Sequence, residues 1–547
     1  MKSQILKKII LLAAIAVLVV VADTSCKKFQ NIGDGVKLII DYNLIKTSIS
    51  VQLVDATTGE LVGQDGSISV KTTITGEDKA GVIDITGTQN ANFEYMSQRG
   101  FVSLALQPES MYRPSESNPI SFNIVANHPG YIATSQHVVI AAEGENFVIL
   151  KMVKLDNPPS GVTVVQLADA TTTDGNGRVT APVTVETPQG EASLTIPEGI
   201  VLKDAGGEPL NGNLDVTLVH FDNTDTAAMR AFPGGLMTNV TRLNGSGEDG
   251  MFYSAGFVAI EITDGSGNRA ANFEDGALKL ISQVSPDTKN PETNTFIADG
   301  DEIPLWSFDE FTGLWTEESM LTIENVGGTF QVQAEINHLS YYNFDWFYGG
   351  SYCDIGVTFI FTADQPLCDC QIVHGTMYRS SDGAYLKTIY MWVCGTEPVY
   401  TYYAPSGVAV YIVWDNYYSN VTVDPANNPT NISDLCSTVP VTINLITNNN
   451  SSHVTVEVEA YCASDPSVII RPSYGAWFRL TSDFNWRWAE MINGYADICD
   501  VIIGETYVVG VYYDGQWYET EVTVEQSSYS YVGFELPADV CEQVFGL

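Results

Sequence analysis

The chain has few basic residues. Its 547 residues include 25 Lys and Arg against 66 Asp and Glu, giving a formal net charge of −41. This charge repels phosphate backbones and anionic membrane surfaces, which argues against a nucleic-acid partner. An acidic surface also keeps exported proteins apart in solution. Calcium or cationic partners are the alternative interpretation of the charge.

Cysteine is missing between residues 27 and 352. Eight cysteines follow that gap, and in an exported chain they indicate disulfides whose connectivity the sequence leaves open. A spacing of 42 residues separates Cys394 from Cys436 and also Cys499 from Cys541. These four are the candidate disulfide cysteines, although coincidence also explains the repeated spacing.

Recognisable catalytic motifs are missing too. The chain has no Gly-x-Ser-x-Gly, no His-Glu-x-x-His and no phosphate-binding Gly-x-x-x-x-Gly-Lys motif. We therefore predict no enzyme activity, no catalytic residues, no resident metal and no cofactor. A hydrolase whose site is assembled from scattered residues is the alternative, and His338 with Asp345 and Glu310 is one such combination.

Two acidic loops are weak candidates for calcium binding. They are Asp174–Gly177 and Asp264–Asn268. Neither has the oxygen-ligand spacing of a dedicated calcium loop, so turns are the better interpretation.

The N-terminus carries an export pattern. Three lysines precede the apolar run Ile9–Ala22, and Ser25 stands before Cys26. Fourteen apolar residues are fewer than the roughly 20 that span a membrane. The segment resembles the lipoprotein signals common in Bacteroidetes. The resemblance implies removal of residues 1–25, lipidation of Cys26 and a tether over 26–35. An ordinary secretory signal and an uncleaved anchor are the alternatives.

The rest of the chain predicts an all-β fold of tandem β-sandwich domains. Runs of Val, Ile, Thr and Tyr alternate with polar residues and are broken by Gly and Pro. We predict a first sandwich at 36–156, a larger β-rich domain at 162–350, and sandwiches at 351–446 and 447–547. The last two resemble a degenerate duplication. Alternation along Val454–Val458 places Glu457 and Glu459 outward.

Several short sequence segments resemble those of known extracellular modules. His128–Tyr131 resembles a turn of bacterial immunoglobulin-like and carboxypeptidase-regulatory-like domains, and Ala496–Tyr507 resembles a transthyretin-like phrase. Ile303–Glu310, Thr312–Trp315 and His338–Asp345 resemble, in order, the module of cartilage intermediate layer protein and its bacterial relatives. That resemblance implies an extracellular scaffold without catalytic residues. Trp306 and Trp315 flank the turn between them as a predicted cross-strand pair.

Aromatic residues concentrate in the last domain. The four candidate ligand-binding residues are Trp477, Trp486, Trp488 and Trp517. Exposed indoles bind sugars because the C–H faces of pyranose rings pack on π systems. A small domain core, or an arginine stacked between rings, is the competing interpretation.

These observations predict a non-enzymatic envelope lipoprotein of the outer membrane, at the cell surface or facing the periplasm. Its expected role is structural, as an adhesin or an accessory subunit with an envelope or surface protein partner. A glycan-binding lipoprotein that uses the aromatic residues of the last domain is the alternative. In a string of four domains anchored at Cys26, that last domain is expected to lie farthest from the membrane.

Overall fold

The computed structural model describes most of the chain after residue 37. The described ranges are 38–41, 46–84, 87–115, 117–231, 237–309, 312–367, 371–381, 383–415, 421–447, 452–462, 465–471, 474–481, 487–513, 516–524 and 529–536. Cys26, Cys541 and Trp486 lie outside them. The described residues form an all-β structure, which confirms the predicted fold class. No helix among them is long and apolar enough to cross a membrane.

The first sandwich has two four-stranded sheets around one core. Its strands are β2 (Thr47–Asp55), β3 (Lys71–Thr75), β4 (Val82–Asp84), β5 (Glu94–Met96), β6 (Phe101–Leu106), β7 (Ile120–Asn127), β8 (Thr134–Ile140) and β9 (Gly144–Met152). The sheet orders are β4-β6-β2-β9 and β5-β3-β7-β8. Val51, Leu104 and Phe122 are buried between the sheets. The first strand of the sandwich, β2, runs parallel to the last, β9.

The second unit is larger. It comprises β10 (Val162–Thr173), β11 (Val183–Glu186), β12 (Ala192–Ile196), β13 (Val201–Asp204), β14 (Gly212–Phe221), α1 (Thr226–Arg230), β15 (Met237–Thr241), β16 (Gly247–Asp264), β17 (Ala270–Glu274), β18 (Leu278–Gln283), β19 (Lys289–Asn290), β20 (Thr295–Phe296), β21 (Glu302–Asp309), β22 (Leu314–Thr322), β23 (Glu324–Val326), β24 (Thr329–Ile336) and β25 (Tyr341–Gly349). A seven-stranded sheet, β10-β14-β16-β15-β22-β21-β25, shares its core with the five-stranded sheet β11-β12-β18-β24-β23.

Within the seven-stranded sheet, β25 also pairs with β16, so five strands close into a ring. Trp306 and Trp315 are both fully buried in the aromatic cluster of this region. They are not directly opposite each other, because Trp315 pairs with Phe308. Both indoles instead contact the ring of Phe252 edge-on, at centroid distances of 5.1 and 5.5 Å. The two indoles are therefore core residues that both pack on Phe252, rather than a directly opposed cross-strand pair.

The third sandwich again has two four-stranded sheets. Its strands are β26 (Tyr352–Ala363), β27 (Gln371–Arg379), β28 (Tyr385–Val393), β29 (Val399–Pro405), β30 (Val410–Asp415), β31 (Val421–Val423), β32 (Thr430–Ile432) and β33 (Val441–Thr447). The sheet orders are β29-β26-β33-β31 and β28-β27-β30-β32. The first strand, β26, runs parallel to the last, β33.

The fourth unit is one branched sheet. Its strands are β34 (Ser452–Cys462), β35 (Asp465–Arg471), β36 (Tyr474–Leu480), β37 (Arg487–Ile492), β38 (Tyr495–Val501), β39 (Thr506–Tyr513), β40 (Gln516–Thr523) and β41 (Tyr529–Leu536). The path β34-β38-β37-β36-β39-β40 curls, because Val456 of β34 and Val509 of β39 share one core. Here too the first strand, β34, runs parallel to the last, β41.

One strand crosses a predicted domain boundary. β1 (Leu38–Asp41) falls in the range predicted for the first sandwich, but it pairs in parallel with β35 of the fourth sheet. Alternation alone does not reveal this, because a short apolar strand fits the edge of either sheet equally well. The other predicted boundaries stay predictions.

Candidate functional site

One of the four residues predicted to bind a glycan, Trp477, is buried. Trp477 is only 1% exposed, since its ring packs on Phe101 and Phe147 of the first sandwich at centroid distances of 4.6 and 6.1 Å. Trp477 and Trp488 are opposite each other in the pairing of β36 with β37. Trp486 lies outside the described residues, and Trp517 is placed only as a residue of β40.

Cys436 is not bonded to the cysteine that the repeated spacing suggested. Cys353 and Cys436 form a disulfide, so the 42-residue interval from Cys394 to Cys436 does not mark a bond. Cys394 and Cys462 are each disulfide-bonded as well. Cys499 is placed as a residue of β38, and its predicted pairing stays a prediction.

His338 and Asp345, two members of the alternative acid–base combination, each have another partner in the structure. The imidazole Nε2 of His338 lies 3.8 Å from Glu318 Oε1. Asp345 is completely buried and accepts hydrogen bonds from Asn343 Nδ2 and the Ala255 amide, at 2.6 and 3.0 Å. Burial raises the pKa of Asp345 to about 7. Such a sealed carboxyl has no access to a substrate. Glu310 lies outside the described residues.

The two acidic loops are turns in the structure. Asp174 Oδ1 accepts from the amides of Asn176 and Arg178, and Asp264 Oδ1 accepts from those of Ser266 and Asn268. These amide bonds lower the pKa of Asp174. At Asp264, burial raises the pKa of the carboxyl, but the hydrogen bonds from the Asn268 side chain and from the backbone amides outweigh burial and lower it. In the part of the chain that is described, no three His, Cys, Asp or Glu side chains are grouped to hold a metal.

A polar cluster lies where the first three units meet. His374 Nδ1 of the third sandwich contacts Asp415 Oδ2, and Arg230 of α1 donates to Thr376 Oγ1 at 2.6 Å. Burial and the nearby Arg230 lower the pKa of Lys151 of β9 to about 8. Burial also lowers the pKa of His374, and Asp415 opposes that shift. The groups are packed against one another, which is the arrangement of an interface rather than of an open site.

A cleft with a volume of about 240 Å³ lies between the second unit and the third sandwich. On one side lie the segment after β14, the middle of β16 and the segment after β18; on the other lies the hairpin of β27 and β28. The lining residues are Asn223, Thr224, Thr226, Met229, Phe252, Tyr253, Ser254, Asp287, Thr288, Lys289, Tyr378, Arg379, Gly383, Ala384 and Tyr385. We call this space the interdomain cleft.

The chain positions the cleft residues by local rules. Asp225 caps the N-terminus of α1 by accepting from the amides of Ala227 and Ala228. Gly256, at φ +120°, sits in the bulge of β16 that interrupts its pairing with β25 next to Ser254. The Asn223 amide donates to the Ser254 carbonyl at 2.8 Å and to Thr288 Oγ1 at 3.0 Å. These bonds join three separate segments into one rigid wall.

Charge in the cleft comes from three side chains. Arg379 is 4% exposed, and its guanidinium carbon lies 3.1 Å from the centroid of the Tyr253 ring. Lys289 and Asp287 are exposed at the rim. Burial raises the pKa of Tyr385 to about 12, so this hydroxyl stays protonated at neutral pH. The cleft therefore offers hydroxyl, amide and cationic groups beside aromatic rings.

Sequence reasoning missed the interdomain cleft altogether. Its residues come from segments more than 150 positions apart in the chain, and no short motif links them. Asn, Thr, Ser and Gly in its walls are also ordinary turn residues. Only the docking of the third sandwich on the second unit brings them together.

Comparisons with known proteins give no family. No protein-family model matches the chain, and no curated protein matches it significantly. Among solved structures, the shaft pilin SpaA of Lactobacillus rhamnosus GG aligns at 11% identity over 34% of this chain and 99% of that one, with a TM-score of 0.18. The minor pilin GBS52 of Streptococcus agalactiae aligns at 14% over 33% and 97%, with a TM-score of 0.13.

The major pilin SpaD of Corynebacterium diphtheriae aligns at 7% identity over 90% of this chain and 97% of that one, with a TM-score of 0.14. TM-scores this low support no statement about what the present chain does.

Proposed function

We propose that the chain is a membrane-anchored envelope lipoprotein that serves a structural or interaction role, as an adhesin or an accessory subunit, without enzyme activity. The single observation that carries the structural role is the buried contact of Trp477 with the first sandwich. The fourth unit is thereby joined to a unit that lies more than 300 residues earlier in the chain.

Other contacts extend this junction. The ring of Phe147 stacks on Trp392 of the third sandwich at 5.9 Å. The Asn123 amide of the first sandwich donates to the Thr312 carbonyl of the second unit at 2.6 Å. The four units therefore form one continuous scaffold rather than independently moving domains. Such a scaffold suits a protein that holds its partners in fixed positions or transmits force between them.

The anchor places this scaffold in an orientation opposite to the expected one. Cys26 precedes β1 by twelve residues, a chain that reaches at most about 43 Å when fully extended. Because β1 lies in the fourth sheet, an anchor at Cys26 holds the fourth unit near the membrane. The earlier expectation that this unit is farthest from the membrane does not fit that pairing.

The anchor is tested by fractionation of cells that express the Cys26→Ser variant. Release of the variant into the soluble fraction is the expected result. A variant that stays membrane-bound contradicts the lipoprotein assignment.

The interaction role is tested by a pull-down of the lipidated protein from gently solubilised envelope, with mass spectrometry of the bound proteins. A stoichiometric envelope partner is expected. The control is the Cys26→Ser variant added to the same extract, which separates partners held by the protein from those held by shared membrane. A clean, partner-free preparation contradicts an accessory-subunit role.

Glycan binding through the aromatic residues of the fourth unit stands as the second candidate. The burial of Trp477 removes one of its four predicted residues from the surface. Retention on an insoluble polysaccharide that is lost in a Trp486→Ala/Trp488→Ala variant would support it. A folded wild-type protein that is not retained on the polysaccharide rules out this candidate.

A further inference from the structure

We propose that the interdomain cleft binds a carboxylate-bearing sugar residue, a hexuronate, within an acidic polysaccharide. This assignment is independent of the partner protein above, and it places carbohydrate recognition away from the aromatic residues of the fourth unit. It is based on the size, the polar lining, the rings and the charge of the cleft.

The size of the cleft limits the ligand. Its volume of about 240 Å³ is below the roughly 300–1,000 Å³ of pockets for drug-sized molecules. A single sugar ring fits this space, whereas a folded protein segment does not. A residue inside a polysaccharide enters from the open rim and leaves its neighbours in solvent.

The polar lining matches a polyhydroxyl compound. Both donated bonds of the Asn223 amide go to protein atoms, which leaves its carbonyl oxygen to accept from a ligand hydroxyl. The Thr226 hydroxyl can both donate and accept, whereas the Thr224 hydroxyl already donates to Asp222 Oδ1 at 2.7 Å and can only accept from a ligand. The Ser254 hydroxyl accepts from the Gly256 amide and is hydrogen-bonded to Asp345, so it holds the wall in place rather than binding a ligand. Because these groups sit on segments that are fixed to one another, their spacing is set before a ligand arrives, which limits the entropy lost on binding.

The aromatic lining supplies a surface for the C–H face of a sugar. The rings of Tyr378 and Tyr385 lie edge to face with centroids 6.4 Å apart, and Tyr378 also stacks on Tyr411 at 5.2 Å. The three rings hold one another in place. An apolar pyranose face gains dispersion contacts against such a rigid wall, while the hydroxyls at its edge reach the polar side.

The charge of the cleft selects an acidic sugar over a neutral one. Lys289 and Arg379 outnumber the single carboxylate Asp287, on a chain that carries an excess of 41 negative charges overall. The position of the Arg379 guanidinium is fixed by the Tyr253 ring. Arg379 adds positive charge to the wall of the cleft, and the exposed Lys289 at the rim is the group that we expect to pair with the ligand carboxylate.

The experiment is calorimetric titration of the full chain in detergent with short oligomers of glucuronate and galacturonate. Oligomers of glucose and galactose, and acetate, are titrated in parallel. We expect binding of at least one uronate oligomer, with the neutral oligomers and acetate at least about tenfold weaker. Acetate separates recognition of a sugar acid from simple attraction to a carboxylate.

Two rim variants test the position of the site. Lys289→Glu reverses a charge at an exposed position and should weaken uronate binding about tenfold or more, whereas Asp287→Asn should strengthen it several-fold. Lys279→Glu is the matched control, because Lys279 is an exposed lysine of the same unit that does not line the cleft. It should bind as the wild-type protein does.

Each possible result of the titrations either supports or overturns the uronate site. Uronate binding that is lost in Lys289→Glu and kept in Lys279→Glu supports the site. Equal binding of neutral and acidic oligomers, equal binding of acetate, an unchanged Lys289→Glu variant, or no binding of any uronate oligomer overturns the proposal. The envelope pull-down is unaffected by these results, so failure of the cleft assignment does not count against the structural role.

Discussion

Trp477 of the fourth unit packs on Phe101 of the first sandwich with ring centroids 4.6 Å apart and an angle of 32° between the ring planes. Val54, Leu61, Ile149 and Val508 complete the buried cluster around this pair. Two units separated by most of the chain therefore share a core. The stability of each depends on the other, because separating them exposes a large apolar surface.

Removal of the Trp477 ring should uncouple these two units. We expect Trp477→Ala to lower the free energy of unfolding by about 3–5 kcal/mol and to split thermal unfolding into more transitions. Differential scanning calorimetry measures both effects. Trp414→Ala is the matched control, since Trp414 is buried in the core of the third sandwich. A Trp477→Ala profile with the same number of transitions as the wild-type profile would show that the contact does not couple the units.

The buried carboxyl of Asp345 should make the second unit less stable as the pH rises. Its pKa is raised from 3.8 to about 7 in the folded protein, so folding favours the protonated form. Its contribution to stability is fully present below pH 4 and is lost as the pH rises towards 7. The loss is at most about 4 kcal/mol.

The free energy of unfolding of Asp345→Asn, relative to that of the wild-type protein, should therefore be higher at pH 8 than at pH 5. Asn343 Oδ1 has no hydrogen-bond partner among the described residues, and rotation of the Asn343 amide would let it accept from the new amide. Urea denaturation at both pH values measures the difference, with the exposed Asp156→Asn as control. An equal difference between Asp345→Asn and wild type at both pH values would contradict the raised pKa.

The disulfide between Cys353 and Cys436 should be found chemically and should stabilise the third sandwich. It links residues 83 positions apart. Loss of a link over a loop of this length costs about 2–5 kcal/mol, which we expect for Cys353→Ser/Cys436→Ser in urea denaturation. Mass spectrometry of an unreduced digest should recover the peptide pair that contains these two cysteines. Recovery of Cys394 joined to Cys436 would refute the assignment.

Arg471 should be essential to the fourth unit, because it neutralises two buried carboxylates. Its guanidinium lies 2.5 Å from Glu457 Oε1 and 2.6 Å from Glu459 Oε1. Arg471→Met leaves both acids uncompensated, and we expect a loss of about 3–5 kcal/mol in chemical denaturation. Adding Glu457→Gln and Glu459→Gln should restore most of it.

The control for Arg471 is an exposed pair. Arg178 lies 2.6 Å from Asp275, and both side chains are largely in solvent. Arg178→Met should cost less than about 1 kcal/mol. Equal losses in Arg178→Met and Arg471→Met would mean that burial does not distinguish the two ion pairs.

The local pattern of the sequence was enough to predict the strands. The alternating segment Val454–Val458 lies within β34, and the turn predicted between Trp306 and Trp315 lies between β21 and β22. Alternation of apolar and polar residues reports which face of a strand is buried, and Gly and Asp report where it turns. Both patterns are contained in a few neighbouring residues, so strands and turns can be predicted without knowledge of the fold.

The same pattern could not show what covers each face. Alternation predicted that Glu457 and Glu459 point outward. They do lie on the strand face opposite Val454, Val456 and Val458, but Arg471 of a neighbouring strand covers them. Trp477 suggested an exposed platform, and the first sandwich covers it instead. A residue's pattern gives its face, whereas its exposure depends on what packs there from elsewhere in the chain.

By itself, the sequence determined the all-β class, the positions of many strands and turns, the acidic surface and the export pattern that leads to Cys26. Tertiary structure alone decided that β1 joins the fourth sheet, that Cys353 pairs with Cys436, and that Arg379 and Lys289 meet Asn223 in one cleft. The physical reason is the separation along the chain of the residues that interact. Strand formation depends on adjacent residues, while strand partners, disulfides and clefts depend on contacts between residues tens to hundreds of positions apart.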